Sequence, residues 1–428
     1  MDSRTVCHTR WRVAVMGTGL HLCLGTVYAW SYFQKLLVDQ YGWSNTQVAW
    51  AFSLAICFLG LAAAWGGLVL PKYGPRRLAM TGGALFGLGY LLAALALHLK
   101  SLPLLYIGYG VIGGSGLGLG YVTPVATAAK WFPDKKGLVT GMVVMGFGLG
   151  ALLMSKVIAP LLMKAFHGNL VAVFGMIGVV FAIVPVAIGS CLRNPPPDFV
   201  PPVAAVSGQP AVVSLDPDGL TAAACIFSGR FLMMWLVFFC NILAGISIIS
   251  FQSPMFQDLW RRIDGALSPA DLASYGATLI AVSSLFNGIG RLFWGGLSDR
   301  IGRSWAFRIM LASQIAAFGL LIVTGNPWLF GALICYILLC YGGGFGTMPS
   351  FVLDAFGPRL MAATYGAILT AWSAAGIVGP QIVALLKDRY PAQASRYAFE
   401  VSSGFLLAGL VLSSILNNQP FRRPPKAG

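Results

Sequence analysis

Long apolar stretches alternate with short polar segments along almost the whole chain. Each stretch is long enough for an α-helix to cross the hydrocarbon core of a bilayer, which takes about 20 residues. Helices are the expected structure because a bilayer offers no water to unpaired backbone groups. We therefore predict an all-α membrane protein with twelve transmembrane helices, over residues 11–38, 46–70, 78–99, 102–129, 137–163, 168–192, 229–257, 271–298, 304–324, 327–353, 361–386 and 396–417.

The gap between the sixth and seventh stretches differs from the other gaps. It begins RNPPPDFVPP and is rich in proline and small residues. Proline cannot continue a helix, and such segments behave as solvated linkers. We therefore expect a six-helix bundle over residues 1–192, a cytoplasmic linker over 193–228 and a second, pseudo-symmetric six-helix bundle over 229–428. Paired halves of this kind bind a substrate where they meet, near the middle of the membrane.

Composition supports a membrane protein and sets its orientation. The chain is 57% hydrophobic and only 10% charged, whereas about a quarter of the residues in soluble domains are charged. The net charge of +15 does not indicate nucleic-acid binding, because the basic residues lie between apolar stretches instead of on one polar face. They concentrate in alternate loops, which predicts a multi-pass protein of the plasma (inner) membrane with both termini in the cytoplasm.

Catalytic and metal-binding patterns do not occur in the sequence. The eight cysteines form no CxxC pair, the four histidines are scattered, and no GxxxxGK[ST] motif is present. Such motifs hold metals or nucleotide phosphates. We therefore expect no enzyme, no metal site, no cofactor and no ATP-driven pump.

A full positive charge interrupts the eighth apolar stretch. Placing Arg291 near a helix centre costs about 2.5–3.5 kcal/mol on insertion scales, and intramembrane charges are functional by default. All thirteen acidic residues lie in loops or near the ends of stretches, so no protein carboxylate is expected beside it. We interpret Arg291 as a guanidinium that binds a substrate carboxylate through two parallel hydrogen bonds. Snorkelling to the surface is the alternative, and it is the expected behaviour of Lys156 near the end of the fifth stretch.

Other candidates surround Arg291 in the predicted bundle. Asn287 lies one turn earlier on the same helix face. His21, midway along the first stretch, is a candidate proton-coupling group, with a neutral histidine bonded between helices as the alternative. Several aromatic residues are candidates for lining the substrate cavity, although packing or an interfacial belt is the alternative for each. These residues are Tyr28, Tyr32, Tyr121, Tyr341 and Phe345.

The segment GGLSDRIGR at residues 295–303 resembles the loop signature of the major facilitator superfamily. The resemblance covers Gly295, Asp299, Arg300, Gly302 and Arg303. It implies a gating loop built on Asp299, Arg300 and Arg303, and it implies a monomer. The corresponding segment of the first half, GLVLPKYGPRR at 67–77, has Pro71 in place of the aspartate.

The segments YAW at 28–30 and KWFPDKKGLVTGMVVMG at 130–146 are similar to monocarboxylate transporters and oxalate–formate antiporters. The resemblance implies that Arg291 pairs with the substrate carboxylate. Asn287 stands where proton-coupled members have an aspartate. Trp372, expected to line the site, stands where the oxalate exchanger has a second cation.

The sequence therefore favours a secondary active transporter of small monocarboxylates such as lactate, pyruvate or formate. Proton coupling is the expected driving force, and anion exchange stays open. An oxalate–formate type exchanger is the alternative. A membrane sensor that does not transport, or a membrane enzyme, is the remote alternative.

Overall fold

The computed structural model describes residues 3–132, 136–196, 199, 221–357 and 359–419. Within these ranges every regular element is helical. We number the membrane helices α1 to α12. The first half contains α1 (Ser3–Leu24, a 3-10 turn at Gly25–Ala29, and Trp30–Tyr41), α2 and α3 (together Asn45–His98), α4 (Leu102–Leu105, a π-helical segment at Tyr106–Gly113, and Gly114–Trp131), α5 (Lys136–Leu153, a π-helical turn at Met154–Ile158, and Ala159–Ala165) and α6 (Leu170–Gly189).

The second half repeats this plan after the segment at 200–220, which lies outside the described residues. A short helix, Ala222–Ile226, precedes it. Its helices are α7 (Gly229–Ile263), α8 (Pro269–Ile301), α9 (Arg303–Val323), α10 (Pro327–Phe356), α11 (Met361–Ile368 and Thr370–Arg389) and α12 (Ala394–Ile415). The predicted linker over 193–228 falls largely on undescribed residues, so the boundaries of the two bundles stay a prediction.

The longest helix contains two membrane crossings. In the described ranges, eleven helices are long and apolar enough to cross a membrane, and one of them, Asn45–His98, has 54 residues. At 1.5 Å per residue it would be about 81 Å long, nearly three times the roughly 30 Å hydrocarbon core. Gly74 interrupts it with φ 76° and ψ 162°, which separates α2 (45–73) from α3 (75–98). The prediction of twelve transmembrane helices is therefore confirmed.

The same turn geometry recurs in the second half. Gly302, between α8 and α9, has φ 89° and ψ 147°, close to the values at Gly74. A positive φ of this kind is readily adopted only by glycine. The similarity of the segments at 67–77 and 296–303 therefore reflects one turn used twice, as pseudo-symmetric halves require.

The two halves pack against each other along two helix pairs, α2 with α11 and α5 with α8. A Cβ atom at Gly60 would clash with the Leu369 carbonyl oxygen, and one at Gly67 with the Ala362 carbonyl oxygen. Along the other pair, Gly148 lies directly against Gly288. Small residues let the backbones approach closely, so the space between the halves is enclosed by tightly packed helices.

The molecule has two ends, one on each side of the membrane, which we call the amino-terminal face and the far face. The amino-terminal face carries the start of α1 and the turns at Gly74 and Gly302. The far face carries the loops between α1 and α2 and between α7 and α8. Odd-numbered helices run from the first face to the second.

Candidate functional site

Arg291 lies inside the protein, between the two halves. Its side chain is 0% exposed, which excludes snorkelling. The Nη1 group donates a hydrogen bond of 2.8 Å to the carbonyl oxygen of Val144 on α5. The Nε and Nη2 groups have no hydrogen-bond partner among the described residues, and Arg291 forms no ion pair there. The protein therefore buries a charged donor with one edge unoccupied.

Aromatic rings flank the guanidinium. Its carbon atom lies 5.1 Å from the ring centroid of Phe345 on α10 and 5.7 Å from that of Phe147 on α5. Both distances fall within the roughly 6 Å range in which a ring face attracts a cation. The two rings come from opposite halves, so the charge of Arg291 is stabilised by both.

These rings belong to a larger cluster, which we call the aromatic box. Adjacent rings lie in edge-to-face or tilted contact, with centroids 4.6 Å apart for Phe345 and Trp372 and 5.2 Å apart for Tyr121 and Trp372. No member is more than 2% exposed, so the box is closed to both faces. Its members are Tyr28, Tyr121 and Phe147 from the first half, and Tyr341, Phe345 and Trp372 from the second.

Hydroxyl and indole groups in and beside the box provide further donors. The hydroxyls of Tyr28 and Tyr341 are hydrogen-bonded to each other at 2.5 Å. Those of Tyr121 and Tyr365 make no hydrogen bond of normal length within the described ranges, although each interacts with the other and with the charge of Arg291. The indole nitrogen of Trp372 also lacks a partner there. A buried donor without a partner costs about 1–3 kcal/mol, so the site is complementary to an anion with several acceptor atoms.

His21 stacks on this cluster from α1. Its ring lies 4.7 Å from that of Tyr121, and its Nε2 group donates to the Tyr121 carbonyl oxygen at 2.9 Å. A carbonyl can only accept, so Nε2 carries the proton. Nδ1 has no hydrogen-bond partner in the described part of the chain. His21 is therefore bonded between α1 and α4, and its role in proton coupling stays a prediction.

Asn287 is buried one turn from Arg291, and its Oδ1 atom has no hydrogen-bond partner within the described residues. With Tyr28, Ser283 and Ser284, it lines a cavity of about 10 Å³ on the far-face side of the box. Such a space holds about one water molecule. The polar lining places hydrogen-bonding groups beside the guanidinium but adds no charge.

Tyr32 is only partly buried, and its ring packs on Phe33 at 5.2 Å. Tyr28 lies in the 3-10 turn at Gly25–Ala29, and Tyr32 lies in the α-helical segment that follows. Tyr32 is not a member of the aromatic box, and its place in the substrate cavity stays a prediction.

The loop signature forms an ion-pair network at the amino-terminal face. Arg303 contacts Asp299 at 2.5 Å and Asp354 on α10 at 3.1 Å, and it donates to the Ser298 hydroxyl at 2.5 Å. Arg300 is exposed. These contacts tie the ends of α8, α9 and α10 together within the second half, and the gating role of the loop stays a prediction.

Three groups near Arg291 were not predicted from the sequence: Phe147, Tyr365 and the carbonyl of Val144. Phe147 directly follows the segment 130–146 that carries the family resemblance, but one phenylalanine in an apolar helix gives no signal of its own. Tyr365 lies seven residues before Trp372, but α11 is interrupted between them at Leu369. The sequence therefore carries no clear signal for Tyr365.

Comparisons with known proteins agree with this architecture. The family model of the Major Facilitator Superfamily matches residues 15–380 of this chain. The oxalate:formate antiporter of Oxalobacter formigenes is 28% identical over 387 residues, covering 89% of this chain and 86% of the relative. The apicoplast pyruvate carrier 1 of Toxoplasma gondii is 28% identical, covering 86% of this chain and 82% of the relative.

Among solved structures, the nucleoside transporter NupG superimposes with a TM-score of 0.64 at 14% identity, covering 95% of this chain and 99% of that chain. This similarity shows the fold alone. Because the family model matches most of the chain, the chain belongs to the major facilitator superfamily of transporters.

Proposed function

We propose that this protein is a secondary active transporter of small monocarboxylates, which binds the carboxylate at Arg291 inside the aromatic box. The observation that carries the proposal is the fully buried guanidinium with two free donor groups and no carboxylate partner in the described ranges. A charge buried in this way needs an opposite charge, because an unpaired ion in a low-dielectric interior is strongly destabilised. The names of the relatives, an oxalate:formate antiporter and a pyruvate carrier, support an organic anion as that partner.

The geometry of the guanidinium favours a carboxylate. Val144 occupies Nη1, whereas Nε and Nη2 form the other edge of the planar group. Two parallel N–H groups match the two oxygens of a carboxylate. The hydroxyls of Tyr121 and Tyr365 supply further donors for the remaining lone pairs of these oxygens.

The rest of the substrate would contact aromatic rings. Trp372 and Phe345 give the box apolar walls next to the cation. This lining suits a short apolar or weakly polar substituent, as in formate, lactate or pyruvate. A second carboxylate would find no second cation in the box.

An oxalate–formate type exchanger is the second candidate. The unpartnered indole N–H of Trp372 and the hydroxyl of Tyr365 favour it, because neutral donors can bind a second carboxylate group. Transport of oxalate at the same rate as lactate or pyruvate would support a site that also accepts dicarboxylates.

Transport by alternating access follows from the closed site. The box has no opening to either face, so the halves must separate at one face and then at the other. The hydrogen bond from Arg291 to Val144 joins the substrate-binding cation to the opposite half. Movement of α5 against α8 would therefore lengthen or break this bond.

We place the amino-terminal face in the cytoplasm and the protein in the plasma membrane, because the basic residues Arg76, Arg77 and Arg300 lie at this face. His21 is the candidate for coupling to protons.

The test is uptake of radiolabelled formate, lactate, pyruvate and oxalate into proteoliposomes, with and without a proton gradient. We expect the wild-type protein to accumulate at least one monocarboxylate and Arg291→Gln to show only the leak of empty liposomes. The matched control is Lys156→Gln, which removes a positive charge from the facing helix. Undiminished uptake by Arg291→Gln would reject the proposal.

A further inference from the structure

A second cluster of basic residues lies at the far face, above the aromatic box. It surrounds an open cavity of about 580 Å³ between the two halves, which we call the vestibule. Its walls come from the ends of α1, α2, α7 and α11. Val38, on the vestibule wall, lies ten residues beyond Tyr28 on α1, a distance of about 15 Å along the helix. The vestibule is therefore the region that a solute meets on its way to the box from this face.

The charges of the vestibule do not cancel. It contains the two acidic residues Asp39 and Asp258. Asp39 is bound to Lys35 at 2.5 Å, and Asp258 is bound to Lys387 at 2.8 Å. Each acid therefore neutralises one lysine of its own half.

Two arginines remain after these pairs are formed. Arg261 and Arg262 are exposed neighbours at the end of α7, and neither has an ion pair with any residue that the structure describes. Arg262 donates one hydrogen bond of 3.2 Å to the carbonyl oxygen of Ala392. Both guanidinium groups therefore keep donors and charge for a ligand.

A third acidic residue near the vestibule, Asp388, does not neutralise the charges of Arg261 and Arg262. Asp388, at the end of α11, accepts hydrogen bonds from the backbone N–H groups of Asn45 and Thr46, at 3.2 and 3.0 Å, and from both of their side chains, at 3.1 and 2.5 Å. Its carboxylate thus pairs with free backbone N–H groups at the start of α2, where the helix dipole favours a negative charge. The same contact holds the two halves together beside the vestibule.

We propose that the vestibule is a second, weaker binding site for small organic carboxylates, formed by Arg261 and Arg262, from which the substrate enters the box when the far face opens. The inference rests on the proposed function, and it adds a loading site to it. Paired guanidinium groups bind carboxylates through charge-assisted hydrogen bonds. Because four basic residues and only two acidic ones line the vestibule, its net positive charge also raises the local concentration of anions.

The experiment measures the KM and maximal rate of uptake in intact cells, in which the far face is outside, at low and high ionic strength. The substrate is the monocarboxylate that the wild-type protein transports. For the double variant Arg261→Gln/Arg262→Gln we expect a KM about threefold or more above wild type at low salt, because the attraction of the anion is lost. The maximal rate should stay unchanged, since the box is intact. The difference from wild type should shrink at high salt, where the charges are screened.

The matched control is Arg396→Gln. Arg396 is also a basic residue of the far face, but it pairs with Glu400 and does not line the vestibule. Its substitution should leave the KM at the wild-type value at both salt concentrations. A double variant with the KM and salt dependence of this control would overturn the vestibule proposal. Failure of the wild-type protein to transport any carboxylate would instead reject the proposed function, so the two failures are distinguishable.

Discussion

Arg291 and Lys156 are two cations on one pair of membrane helices, and the protein gives them opposite surroundings. Arg291 on α8 is fully buried, donates to α5 and keeps two donor groups free. Lys156 on α5 is exposed, and its ammonium group donates to the Thr278 hydroxyl on α8 at 2.6 Å. Both side chains bridge the same two helices, at positions that differ by about 20 Å in height.

The difference shows which intramembrane charges need a ligand. Lys156 reaches the surface, so water and one hydroxyl satisfy it. Arg291 is shielded from solvent and has no acidic partner among the described residues, and its stabilisation by Phe147 and Phe345 is partial. A positively charged side chain in the membrane is therefore a candidate for binding a substrate when it is deeply buried and has hydrogen-bond donors without partners. The charge alone is not sufficient.

The largest effect expected from this comparison concerns the shape of the cation at position 291. Arg291→Lys keeps the charge but loses the planar edge that fits two carboxylate oxygens. We expect uptake to fall by about 10- to 100-fold, because a hydrogen bond to a charged group contributes about 1.5–3 kcal/mol. Uptake rates in proteoliposomes measure this, with the amount of reconstituted protein as the control. If the wild-type protein and Arg291→Lys take up the substrate at equal rates, only the charge at this position matters for binding.

The next effect concerns the donors that surround Arg291. Tyr365→Phe removes one buried hydroxyl beside Tyr121 and leaves the ring in place. We expect the KM for the transported carboxylate to rise by about tenfold through loss of one hydrogen bond to a charged group. Tyr397→Phe, at the far face and outside the box, is the control. If the KM of Tyr365→Phe matches the wild-type value, the hydroxyl does not contact the substrate.

His21 combines features of both cations, since it is buried like Arg291 and hydrogen-bonded like Lys156. In His21→Gln the amide can still donate to the Tyr121 carbonyl, but it cannot take up a proton. We expect stimulation of uptake by a proton gradient to disappear while exchange of substrate across the membrane continues. Stimulation that persists in the variant would remove His21 from the coupling mechanism.

The smallest effect is expected at Lys156. Lys156→Gln should leave uptake within about twofold of wild type, because exposed polar contacts contribute little. The glutamine side chain can still bond to Thr278. Uptake reduced as strongly as in Arg291→Gln would show that the two cations act together, and the distinction drawn between them would fail.

Part of the candidate site could be predicted from the sequence. Arg291 stood out because a charge within an apolar helix is costly and therefore rare. Tyr28, Tyr121, Tyr341 and Phe345 were found as aromatic residues in the right helices, and Trp372 through a family resemblance. Tyr32 packs on Phe33 beside the box, and its role in the cavity stays a prediction.

The sequence by itself determined that the chain lies in a membrane, that it forms twelve helices and that one of them carries an unpaired cation. These properties depend on local composition and on the length of each apolar stretch. Only the tertiary structure decided which groups surround the cation. Phe147 and Val144 contact Arg291 from α5, which is far from α8 in the chain, because the two helices pack as closely as Gly148 and Gly288 allow. Tyr365 on α11 interacts with the same charge. Such contacts arise when helices pack side by side, and the periodicity of a single helix carries no information about the neighbour it will meet.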